Sequence, residues 1–66
     1  MEEKIIAFNK YVEQTMDLLT DSYKWCMLAK HTTDMHTKEK YKHISNMLYE
    51  LYEAEHEHIE TLLKEA

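Results

Sequence analysis

Apolar residues recur at steps of three and four over residues 2–30: Ile5, Phe8, Val12, Met16, Leu19, Tyr23 and Cys26. That spacing lays them along one face of a helix. Residues 41–63 repeat it with Tyr41, Ile44, Leu48, Leu51, Tyr52, Ile59, Leu62 and Leu63. Between the two stripes the apolar face is interrupted by Thr33, Asp34 and Thr37. Adjacent β-branched threonines followed by Asp34, a good N-cap, read as a helix stop and restart. The pattern therefore predicts an all-α antiparallel hairpin forming a single domain: helix 1 over about 2–30, a loop over about 31–36, and helix 2 over about 37–65. Counted straight through, the two stripes keep nearly the same phase. One continuous helix of roughly 100 Å is the competing expectation. The missing stripe at the centre favours the hairpin.

Both apolar faces are wide. Tyr11, Leu18, Trp25 and Ala29 broaden the helix 1 stripe to about half its circumference. A hairpin covers only part of such a face, and a second copy is the simplest supply of further helices. The expectation is a homodimeric four-helix bundle. Its interface would draw on Phe8, Tyr11, Val12, Leu18, Trp25, Leu48, Leu51 and Tyr52. The composition agrees: 66 residues with no Gly and no Pro leave little room for hairpin turns or phosphate-cradling loops. A core from 66 residues is also marginal alone. One cysteine permits no internal disulfide and fits a reducing, cytoplasmic setting.

Charge narrows the partners. Thirteen Asp and Glu face eight Lys, with no Arg, for a net charge of −5. That balance argues against nucleic acid, which is held largely through phosphate contacts and read through arginine. No apolar run approaches a membrane span, and Met1-Glu2-Glu3-Lys4 is not a secretory signal. The charge is also unevenly spread. Residues 30–43 hold Lys30, Lys38, Lys40 and Lys42 against Asp34 and Glu39, while residues 50–65 hold six Glu against Lys64. An antiparallel dimer would set the basic loop end of one hairpin beside the acidic end of the other.

Among candidate functional residues, Glu55 stands out. On a helical wheel Ile44, Leu48, Leu51, Ile59 and Leu62 surround one direction, and Glu55 points along its centre. A carboxylate there is costly unless paired, protonated or metal-bound. His58 lies three residues on, one turn away, close enough to ligate the same metal. Two other readings stay open. Glu55 could act as a buried registry residue hydrogen-bonded to Tyr11, Thr15 or a partner lysine, or it could reach solvent through a frayed helix end.

The stretch Ile44 to Lys64, ISNMLYELYEAEHEHIETLLK, resembles the second helix of rubrerythrin-type ferritin-like proteins, with its Glu-x-x-His motif and acidic, leucine-rich tail. The resemblance covers about a third of the chain. It implies a four-helix bundle in which Glu55 and His58 ligate a metal ion, with iron, manganese or zinc as the expected choices. A second register of the motif would use Glu53 and His56, which the wheel points away from the apolar face. On helix 1, Glu13, Asp17 and Asp21 all lie off the apolar face. A dimer would then offer two Glu and two His, which favours metal binding over oxidase chemistry.

No nucleophile triad or paired catalytic carboxylates are visible, so catalysis is not expected. His31, His36 and His43 gather around the loop, where solvated histidines or a zinc site are the two readings. Cys26 reads as a small core hydrophobe. The alternative to metal binding is a small acidic interaction protein that binds and modulates a larger protein partner.

Overall fold

The computed structural model describes residues 2–65. Helix α1 spans Glu2–His31 and α2 spans Met35–Glu65, joined by residues 32–34. The two run antiparallel over a length of 51 Å and lie 18 × 11 Å in section. A continuous helix would be nearly twice as long, so the turn in the centre is real. The loop is shorter than the sequence pattern suggests because both helices run further into it.

Polar side chains make that short turn possible without glycine. No described residue has a positive φ, so α1 does not end in the usual left-handed cap. Instead the Thr32 hydroxyl donates to the Leu28 carbonyl at 2.7 Å, and the Thr32 amide to the Ala29 carbonyl at 3.3 Å. These satisfy two of the four carbonyls that a helix end leaves free. Lys30 and His31 in the last turn complement the helix dipole. At the start of α2, the Asp34 carboxylate accepts from the Thr37 amide at 3.2 Å and from the Thr37 hydroxyl at 2.6 Å. The Asp34 carbonyl accepts the first helical bond, from the Lys38 amide at 2.9 Å. Asp34 is thus the N-cap of α2.

The helices meet along small residues. Among the described residues, Thr15, Ser22 and Ala29 of α1 and Ser45 of α2 are buried, with Ile59 the only large side chain that joins them. Three of these four small residues sit seven apart on α1, the period of a seam between supercoiled helices. At the centre the Ser22 hydroxyl donates to the Ser45 carbonyl at 2.8 Å, and the Ser45 hydroxyl donates to the Ser22 carbonyl at 2.7 Å. This reciprocal pair ties backbone to backbone across the crossing. By register it sets Thr15 level with Tyr52 and Phe8 level with Ile59.

Only a narrow strip of each helix is covered. Met16 and Tyr23, which the wheel puts on the core stripe, are exposed, Tyr23 by 67%. Leu51, Leu62 and Leu63 of α2 are exposed as well. The physical reason is that one neighbouring helix covers only one seam, and small side chains let that seam close tightly. The larger residues are pushed outward on both sides of it. The radius of gyration is 15.3 Å, against about 11 Å for a compact domain of this length. The molecule is a slab one helix thick, with two broad faces.

Candidate functional site

The first face is built by both helices. The rings of Trp25 and Tyr41 lie 5.3 Å apart, and Tyr11 meets His58 edge-on at 5.9 Å. One heptad from the Trp25–Tyr41 pair puts Leu18 level with Leu48, and the next puts Tyr11 level with Glu55. Ile44 and Leu51 flank this row. Leu18, Trp25, Tyr41, Ile44 and Leu48 are half-buried, and Leu51 is 51% exposed.

Glu55 lies at the end of this row, half-buried beside the seam. It makes no hydrogen bond or ion pair with any described residue. The Thr15 hydroxyl, one partner anticipated for it, donates instead to the Tyr11 carbonyl at 2.9 Å. Glu55 is half-buried rather than enclosed, so the full desolvation cost of a buried carboxylate does not fall on it. His58 is exposed apart from its contact with Tyr11. Glu55 and His58 therefore occupy the same end of the same face. Among the described residues, no group of three His, Cys, Asp or Glu comes together to hold a metal ion. Glu13, Asp17 and Asp21 on α1 are exposed.

The alternative pair sits elsewhere. Glu53 and His56 are exposed. The His56 Nδ1 lies 3.5 Å from a Glu60 oxygen, and its ring tilts over Tyr52 at 5.5 Å. Tyr52 in turn lies 5.9 Å from Tyr49. This row belongs to the second face. There a shallow groove is lined by Leu19, Tyr23 and Cys26 of α1, by Asn46 and Tyr49 of α2, and by Ser22 and Ser45 at its floor. Cys26 is a free, half-buried thiol.

His36 and His43 line a depression on the outer side of α2 with Glu39, Lys40 and Ile44, and His31 closes α1. The wheel gave no weight to the serines, because it ranks positions by hydrophobicity. The signal that finds the α1 side of the seam, Ser22 included, is the seven-residue interval of small residues at 15, 22 and 29. Among the described residues, no helix is long and apolar enough to cross a membrane. Comparisons with protein-family models, curated proteins and solved structures find no match for this chain.

Proposed function

We propose that this chain is a protein-interaction module: half of a four-helix bundle that a second copy completes through the Trp25 face. One observation carries the reading: α1 and α2 both present large apolar side chains on that face and bury few of them. The accessible surface is 5675 Å², whereas a compact monomer of this mass exposes about 4,500 Å². The excess is on the order of 1,000 Å², comparable with what one partner covers in a stable interface. The Trp25 face suits a second copy because two such faces are apolar across both helices. Antiparallel stacking would also place the lysines of residues 30–43 beside the glutamates of residues 50–65. Sedimentation equilibrium tests this: a homodimer gives twice the 8.0 kDa chain mass, and helical protein sedimenting as single chains at micromolar concentration would sink it.

A second reading rests on Glu55, half-buried without a protein partner and one turn from His58. In a bundle whose second copy brings its own Glu55 and His58 alongside, two carboxylates and two imidazoles would form a site for iron, manganese or zinc. The antiparallel arrangement favoured by charge works against this, since Glu55 lies off the centre of the hairpin. Metal analysis beside a Glu55→Leu variant decides it. Stoichiometric metal in the parent and none in the variant supports the site, and equal metal in both removes it.

A further inference from the structure

Two copies can close their Trp25 faces about a two-fold axis in two ways. An axis lying across the helices stacks α1 on α1 and α2 on α2, with the turns at opposite ends. An axis running along the helices stacks α1 on α2, with the turns together. The apolar side chains serve either arrangement, and one residue tells them apart. Tyr41, Leu48, Glu55 and Leu62 follow one another along α2 at steps of seven. No lysine stands in this row. Glu55 is half-buried in it, with no hydrogen bond or ion pair to any described residue. It lies five positions beyond residue 50, the midpoint of α2 over Met35–Glu65.

We infer that Glu55 selects the orientation of the bundle and holds the two turns at opposite ends. With the turns together and the hairpins in full overlap, the two Glu55 residues come to the same level and reach toward each other across the bundle interior. Helix axes about 10 Å apart leave two such carboxylates within the ~8 Å Debye length of physiological salt. With the turns opposed, the same residues stand ten positions apart along the bundle, about 15 Å, and salt screens them. Each then lies beside Ile44 and Leu48 of the second copy. Both arrangements cover Glu55, so its desolvation does not discriminate between them. The like-charge contact does, because it arises in one arrangement only. A polar residue in an apolar seam specifies geometry in this way, by penalising the alternative. The lysines near the turn and the glutamates near the open end favour the same orientation from the surface, whereas Glu55 acts from inside the interface. The inference rests on a second copy completing the bundle through the Trp25 face.

A spin label on the turn reads the orientation directly. Thr33 is exposed there, so Thr33→Cys in a Cys26→Ser background gives one labelled thiol per chain. Opposed turns put the two labels near the 51 Å length of the hairpin, and turns together put them about 20 Å apart, two helix diameters. Double electron–electron resonance is run with a chelator present, so that no metal bridges the carboxylates. It is also run in about 1 M salt, where surface pairs are screened and partly buried ones much less so. The labelled parent should show the long distance alone. Glu55→Leu should add the short one, shifting the ratio of the two roughly tenfold or more, since it removes a like-charge contact from the interface. Glu55→Lys should keep the long distance, because two ammonium groups repel as two carboxylates do. An equal mixture of labelled parent and labelled Glu55→Lys should show the short distance, as Glu and Lys then attract at one level. A parent that loses the long distance in 1 M salt overturns the proposal, and so does a Glu55→Leu variant that keeps it alone or a mixture without the short distance. Circular dichroism checks that the variants keep their helices. Sedimentation separates this failure from that of the bundle itself: single chains throughout sink both readings, whereas dimers whose orientation ignores residue 55 sink this one only.

Discussion

Asp34 shows how much one side chain decides. Its carboxylate accepts two hydrogen bonds from Thr37, one from the hydroxyl and one from the amide. The hydroxyl bond first, then the amide bond, hold its pKa below the ordinary carboxylate value. A depressed folded-state pKa means that the stabilisation is present above the unfolded value, near 4. It fades as pH falls through the folded value. Asp34→Ala should lower the melting temperature at neutral pH. Asp34→Asn should keep the cap but remove this residue's part of the acid sensitivity below about pH 4. A melting-temperature profile from pH 2 to pH 7 for the three proteins checks both. Ser22 makes a complementary case, because it is buried and bonded across the hairpin. Ser22→Ala should cost about 1 kcal/mol, the net worth of one hydrogen bond. Ser22→Leu should cost ~1–3 kcal/mol, because a large side chain wedges the crossing apart. Urea unfolding at fixed protein concentration measures both, and a Ser22→Leu variant as stable as the parent would show that the close crossing is not needed.

At the scale of the element, each helix is specified by its own sequence and poorly finished by its neighbour. Four threonine hydroxyls, at Thr15, Thr20, Thr32 and Thr61, bond back to the carbonyl four residues earlier. This satisfies polar side chains that would otherwise compete with the helix. Ile59 is the one large apolar side chain of α2 that the hairpin buries. Ile59→Ala should destabilise the fold by about 2 kcal/mol, the low end for core truncation, because the site is not enclosed on every side. Chemical denaturation tests this beside Leu63→Ala, where an exposed position should change stability by less than about 0.5 kcal/mol. The helical stripes and the cap at Asp34 were legible from spacing and turn chemistry alone. The seam was not. Periodicity reports where the apolar side lies, while the line of closest approach falls on the smallest residues within it, here Thr15, Ser22 and Ala29.

At the scale of the whole molecule, the slab has two faces of different character, and this organises its expected behaviour. Leu51→Glu on the Trp25 face should shift the sedimentation mass from dimer toward single chain while leaving the helices formed. The same substitution at Tyr23, on the other face, should leave the mass unchanged. Raising salt to about 1 M shortens the Debye length to roughly 3 Å, so an antiparallel dimer steered by its uneven charge should associate more slowly there. Association rates that do not change with salt would count against the charge-matched orientation.

The sequence by itself determined that the chain is two helices, where it turns, and that its apolar surface exceeds what a hairpin can cover. These are properties of spacing, capping and composition, which act over a few residues. It also singled out Glu55 and His58, because a polar residue inside an apolar stripe is visible on a wheel. Only the tertiary structure decided which part of each wide stripe becomes the seam. It set the register through Ser22 and Ser45, and left Glu55 half-buried rather than enclosed. It also divided the remaining apolar surface between a face built by both helices and a second face with a shallow groove over Ser22 and Ser45. Those outcomes depend on how α1 and α2 rotate against each other, and that rotation is fixed by close packing of small residues across a distance of more than twenty positions in the chain.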